Sequence, residues 1–247
     1  MKKIVFSLFA TSLLLTQVAR SEVKIGDGTL TFNAAVNSKY NSRGVDQNNK
    51  AVTPSVGADF STPVKTPAGD FGFYLGTWIS KSKAAPGVSR EQDVYGGVTK
   101  AFGPATFDLG YEIYHYAGAN FNDVDNAEIY LKLTIAPDKA PYSLGVQYFK
   151  DDTGGAKAGN GTTRNSTGAV IDKNYKEVNA TYDFGILQSK IAYGKFDSDT
   201  KTTTLALSKS VFDATVTASF IDAKKDGSNS NLAADQKSFI VGVSKTF

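Results

Sequence analysis

The chain has no cysteine among its 247 residues. That excludes disulfides, thiolate metal sites and a cysteine nucleophile, and it is compatible with an oxidising periplasm. After Ser21 no apolar run approaches the ~20 residues that a spanning helix needs, so any residence in a membrane has to use strands. Histidine is nearly absent too: His115 stands alone as the candidate base for a hydrolytic arrangement. The net charge of +3 is also less than it looks, because Lys2, Lys3 and Arg20 fall in the first 21 residues, where there is no Asp or Glu. Taking those three from the 27 Lys and Arg leaves 24 against 24 Asp and Glu. The remainder is neutral, and the basic precursor gives no argument for a nucleic-acid partner.

The N-terminus carries an export signature. Lys2 and Lys3 precede a mostly apolar run from Ile4 to Leu15, and Ala19-Arg20-Ser21 supplies small residues where a signal peptidase reads. Cleavage is expected between Ser21 and Glu22, with residues 1–21 as signal peptide and 22–247 as one domain. That domain contains twelve stretches of about ten residues in which apolar and polar side chains alternate, the period of a β-strand. Phe107, Leu109, Tyr111 and Ile113 share one face against Asp108, Gly110 and Glu112; Ile129, Leu131, Leu133 and Ile135 oppose Glu128, Tyr130, Lys132 and Thr134. The same split recurs at Val178/Ala180/Tyr182 against Glu177/Asn179/Thr181 and at Phe212/Ala214/Val216 against Asp213/Thr215/Thr217.

Periodicity alone also fits a soluble barrel whose apolar face is enclosed. The joins separate the two. Strands are expected near 29–41, 51–60, 70–80, 91–101, 105–116, 126–136, 142–150, 173–183, 186–196, 202–210, 212–221 and 236–247. Joins such as Phe102-Gly103-Pro104 and Phe184-Gly185 are tight, while Arg43 to Lys50, Ser82 to Arg90, Ala117 to Asp125, Asp151 to Asp172 and Asp222 to Asp235 are long. Outer-membrane barrels alternate short periplasmic turns with long extracellular loops in this way. A closed barrel is also the β-structure that pairs all its backbone polar groups in lipid. The fold expected is therefore all-β: a transmembrane antiparallel up-and-down β-barrel of about twelve strands. Phe239, Val241, Val243 and Phe247 form an apolar last face ending in an aromatic, with Lys245 interrupting it. Phe247 is read as the membrane-assembly signal.

The segment Ser38-Lys39-Tyr40-Asn41-Ser42-Arg43-Gly44-Val45, with Gly72-Phe73-Tyr74-Leu75-Gly76-Thr77-Trp78 and Asp93-Val94-Tyr95-Gly96-Gly97, resembles the TorF-like family of outer-membrane porins over roughly the first half of the chain. The resemblance implies a small barrel for passive solute passage. Lys39 stands where that family usually has an acid, and Asn41-Ser42 replace its usual apolar pair.

If the apolar faces point to lipid, parity sends Asn33, Asn37, Lys39, Asn41 and Arg43 of the first strand into the lumen, with Asp59, Asp108, Glu112, Glu128, Lys132, Glu177 and Lys190. Lys39, Arg43, Glu112, Glu128 and Lys132 are the expected pore-lining set, since charges of both signs in a narrow barrel orient polar solutes. Tyr74, Trp78, Tyr95, Tyr114, Tyr130, Phe149 and Tyr175 are expected inside as well, either stacking solutes or lying on glycines such as Gly76, Gly97 and Gly110. The chain thus reads as an outer-membrane porin passing small hydrophilic solutes, not as an enzyme. A blocked barrel acting through its loops is the alternative, and a lipid hydrolase using His115 is a more distant one. No cofactor or metal is expected. The partners expected are outer-membrane lipid and lipopolysaccharide, the barrel assembly machinery and the solutes themselves.

Overall fold

The structure, a computed structural model, describes residues 22–67, 69–84, 87–118, 121–152, 174–197, 200–226 and 234–247, with backbone only at 121–125. Residues 1–21, expected to form the export signal, and most of the join from Asp151 to Asp172 lie outside these residues. No described residue is helical. The strands are β1 (Val23–Ile25), β2 (Gly28–Asn37), β3 (Asn41–Ser42), β4 (Val45–Asp46), β5 (Thr53–Val64), β6 (Phe71–Lys81), β7 (Arg90–Phe102), β8 (Ala105–Gly118), β9 (Phe121–Ile135), β10 (Tyr142–Asp151), β11 (Tyr175–Asp183), β12 (Gln188–Phe196), β13 (Thr200–Val211), β14 (Ala214–Lys225) and β15 (Gln236–Thr246).

From β5 to β15 each strand pairs antiparallel with its sequence neighbours, and β2 closes the ring by pairing with both β5 and β15. This is a closed twelve-stranded antiparallel β-barrel. Its seam is short: β15 meets β2 only from Gly242↔Asn37 to Thr246↔Asn33. The last residue extends it, because Phe247 N donates to Phe32 O at 2.7 Å and Phe32 N to Phe247 O at 3.0 Å. Beyond that point β1 covers the remaining edge of β2, Gly28 to Leu30. Between them, Phe247 and β1 leave little of the β2 edge unpaired.

The faces are inverted relative to a soluble barrel. Leu109, Leu131, Val146, Val178 and Ile191 are about half exposed on the outside, while Glu112, Glu128 and Tyr130 are buried within. A continuous apolar belt of this extent is an aggregation liability in water and a match for hydrocarbon. Lys245, which interrupts the apolar face of β15, lies 5.2 Å from the Phe247 ring centroid and 3.8 Å from Asp213, so its stem covers apolar surface while its charge reaches an acid at the rim.

Tight turns gather at one end, at 103–104, 184–187 and 212–213, and Phe212 there holds a left-handed φ of 54° with its ring almost wholly exposed. Rings crowd that end, including Phe102 against Phe107 and Tyr182 against Phe184. At the other end two expectations are corrected. Ala117–Gly118 and Phe121–Asp125, expected in a loop, are strand: β8 and β9 continue their ladder to Gly118↔Phe121, with a register irregularity between Tyr116 and Gly118. Aromatic residues such as Tyr116 and Phe121 favour extension of the ladder. The first strand also stops early, at Asn37 instead of residue 41, and the chain turns into the barrel.

Candidate functional site

Strand alternation puts Tyr74, Tyr95, Tyr130, Phe149, Tyr175 and Phe196 inside, all buried and clustered. Four of these rings lie over a glycine on the adjacent strand, Tyr74 over Gly97, Tyr95 over Gly76, Tyr130 over Gly110 and Tyr175 over Gly194. A Cβ on Gly110 would stand 2.2 Å from Tyr130 Cζ, so the missing side chain is what lets the ring lie down along the wall. The phenols then reach acids. Tyr74 Oη donates to Asp108 Oδ1 at 2.6 Å and lies 2.6 Å from Tyr130 Oη, and Tyr95 Oη donates to Asp59 Oδ1 at 2.6 Å.

Into this interior comes the segment 38–52. After a bend at Ser38 and Lys39 it forms the small hairpin β3–β4, with Ser42 opposite Val45. Its two central residues, Arg43 (φ 50°) and Gly44 (φ 91°), are both left-handed, as a type I′ turn requires. Gly44 is needed for a second reason: a Cβ there would meet Thr202 Oγ1 at 2.5 Å and Ala223 Cβ at 2.8 Å. Thr202 Oγ1 donates to the Arg43 carbonyl at 3.0 Å, and Asn41 Oδ1 accepts from Gly44 N at 2.9 Å. Nearer the rim, Tyr40 Oη donates to Glu91 Oε1 at 2.9 Å and its ring tilts against Trp78 at 5.4 Å.

The Arg43 side chain crosses to the far wall. Its Nη1 and Nη2 donate to the two oxygens of Glu128 at 2.6 and 2.8 Å, a bidentate geometry among the stronger polar contacts in proteins. The guanidinium carbon sits 4.1 Å from the Phe149 ring centroid and 4.9 Å from that of Tyr175, within cation–π range. Tyr114 Oη completes the group, 2.8 Å from Glu128 Oε2 and 3.0 Å from Glu112 Oε2. Glu112 and Glu128 are direct cross-strand partners, an arrangement that like charges disfavour. Arg43 supplies the opposing charge.

The walls are unequal. Among the described residues, the inward carboxylates of β5 to β9 are Asp59, Glu91, Asp93, Asp108, Glu112 and Glu128, against one strand-borne cation, Lys132. Lys132 Nζ is 3.8 Å from Asp108 and 3.7 Å from the Tyr130 ring centroid. Asp93 is buried, and its Oδ1 accepts no hydrogen bond. On β13 to β15 many inward positions hold short hydroxyl side chains, with Ile221 and Ala223 buried beside them, and Ser210 Oγ, Thr217 Oγ1 and Ser244 Oγ have no partner among the described residues. Buried hydroxyls of this kind are the ordinary holders of ordered water.

Of the five residues expected to line a pore, Arg43, Glu112 and Glu128 are brought together around Tyr114, and Lys132 lies on the same wall, two residues beyond Tyr130. Lys39 is half-buried in the bend at the root of the loop, outside that group. Arg43 and Asn41 reach the interior on the inward hairpin, not on the first strand as parity implied. Glu91 and Asp93 were not singled out in the sequence, although they share the parity of Tyr95. His115 has the outward parity of Tyr111 and Ile113, which are exposed.

No curated protein matches the chain in sequence. In structure it is similar to the KdgM porin, at 13% identity and a TM-score of 0.51 over 88% of this chain and 99% of that one. A chain solved in a study of in-meso crystallization of membrane proteins matches at 11% identity and a TM-score of 0.53, covering 88% and 83%. The NanC porin matches at 12% identity and 0.47, covering 87% and 98%. The first two of these likenesses show the barrel fold alone, and none of these matches carries the TorF-like name. Residues 23–247 match the model of a family described as bacterial protein of unknown function, Gcw_chp. The chain belongs to the Gcw_chp family.

Proposed function

We propose that the protein is an outer-membrane porin that gives small hydrophilic solutes passive passage through a narrow charged lumen. The observation that carries this reading is the inversion of faces in a closed barrel: apolar outside, where lipid would lie, and charged inside. Such a barrel lowers the cost of crossing hydrocarbon by offering polar groups along a path through it. Arg43, Glu112, Glu128 and Lys132 would form its narrowest part, with Lys39 at the root of the loop that carries Arg43. On this reading the residues before Glu22 direct export, Phe247 is recognised by the barrel assembly machinery, and the outer belt meets lipid and lipopolysaccharide. The barrel carries no catalytic role in this proposal.

A second reading has its own support in the loop at 38–52, which spans the interior from β2 to β10, six strands away around the ring. With that loop in place the lumen is narrowed, as a structural or interaction barrel acting through its outer loops would be. Planar-bilayer recording with purified protein decides between them. Resolved unitary steps are expected; a silent bilayer containing folded protein overturns the porin reading in favour of the blocked barrel.

A further inference from the structure

We infer that the wall of the lumen carries a binding site for a guanidinium-type organic cation, and that Arg43 of the inward loop is a tethered occupant of it. Apart from the cation, the parts come from the wall: the carboxylate fork of Glu128 on β9, the Tyr114 hydroxyl on β8, and the Phe149 and Tyr175 rings on β10 and β11. Sheet register holds these side chains in place. The loop adds a side chain on a left-handed backbone at φ 50°, a conformation that persists where surrounding contacts hold it.

A second observation points the same way. Asp93 is 3% exposed, its Oδ1 has no hydrogen-bond partner among the described residues, and the charges it faces there are Glu91, Glu112, Glu128 and Arg43. Without Arg43 the wall there is a set of acids over an aromatic floor, with Lys132 the one strand-borne cation near it among the described residues, 5.4 Å from the Phe149 ring centroid. A planar guanidinium satisfies both the fork and the rings, whereas an ammonium is a point charge that cannot take both oxygens and stack. An anion is repelled. This deepens the proposed porin reading by naming a solute class, small organic cations of the guanidinium type. A free solute must compete with a side chain whose tether gives it an effective concentration in the millimolar range.

The test uses the full barrel refolded in detergent, with guanidinium chloride at millimolar levels as probe and sodium chloride as the ionic-strength control. Two readouts avoid any need for current: the thermal unfolding midpoint, and emission from Trp78, the only tryptophan, which touches Tyr40 of the same loop. In Arg43→Ala, guanidinium should bind saturably, at least about tenfold more tightly than in the unaltered protein, and raise the midpoint where sodium does not. Adding Glu128→Gln to that variant should remove the effect. Arg43→Lys keeps a charge and lacks the fork, so it should respond between the two, and it carries the comparison alone if Arg43→Ala does not fold. Equal responses in the unaltered protein and the variants, or sodium acting as well as guanidinium, overturn the site. A silent bilayer with intact guanidinium binding would instead remove passage and leave the site standing.

Discussion

The wall from β5 to β9 and the wall from β13 to β15 enclose the same lumen and are written in the same two-residue alternation, yet they do different work. The first carries six inward carboxylates and the phenols of Tyr74, Tyr95 and Tyr130. The second carries Thr202, Thr204, Ser208, Ser210, Thr215, Thr217 and Ser219, short side chains of which Ser210 and Thr217 lack a partner among the described residues. The inward loop touches both, but unequally. Its backbone rests on Thr202 through one hydrogen bond, while its charged tip is held by a fork and two rings on β9 to β11. Large side chains and charge thus occupy one side of the barrel, and the room left by small hydroxyls lies along the other. The lesson is that one alternation pattern can build a wall that grips and a wall that only wets, depending on which residues fill the inward positions.

That contrast can be broken most directly at Glu128. Glu128→Gln leaves the Arg43 charge without its fork, a loss on the order of 3 kcal/mol where a buried pair is broken. It should show as a clear drop in the temperature at which the folded barrel loses its compact mobility on gels. Equal behaviour of Glu128→Gln and a hydroxyl-wall variant such as Ser208→Ala would mean the two walls are energetically alike. Next comes packing. Gly110→Val places carbon where the Tyr130 ring lies and should cost about 1–3 kcal/mol by overpacking. Ala206→Val on β13, whose cross-strand neighbours are Ser219 and the flexible Lys190, should cost less than half as much in the same urea titration.

Ion preference sharpens the comparison further. In a salt gradient across a planar bilayer the reversal potential is expected on the side of cations, because acids outnumber cations on the charged wall. Asp59→Asn should move it toward zero, whereas Thr204→Asn on the hydroxyl wall should leave it in place; an anion preference in the unaltered protein would contradict the assignment. The smallest effect is expected at Thr217→Val. If the unpartnered Thr217 hydroxyl is satisfied by solvent, removing it changes stability by no more than about 0.5 kcal/mol. A gain of 1 kcal/mol or more, on the scale of relieving a buried unsatisfied group, would show that the wall is dry.

Much of this arrangement is legible in the sequence. Glu112, Glu128, Lys132 and Tyr130 were expected inside because a period of two leaves no choice of face once their neighbours Leu109 and Leu131 are placed outside. The same parity reaches Glu91 and Asp93 through Tyr95. Strand ends were close for most elements, since Gly103-Pro104 and Phe184-Gly185 stop a ladder locally. The long β8–β9 hairpin was missed because pairing beyond the apolar belt needs no hydrophobic pattern to announce it. The inward turn after Asn37 was missed for a different reason: the direction of a loop is not periodic, and nothing in Ser38 to Lys50 distinguishes a segment facing water from one facing a polar lumen. The part of the TorF-like resemblance quoted from Ser38 to Val45 falls on that hairpin, including the Arg43-Gly44 turn.

By itself the sequence determined the class of the barrel, which face of each strand is apolar, and where most tight turns fall. These are consequences of backbone geometry and hydrophobicity over a few residues. Only the tertiary structure decided that Arg43 would meet Glu128, 85 residues away. That contact depends on closing twelve strands in one register and on a loop bending inward across the lumen, and neither is written in any local stretch of chain.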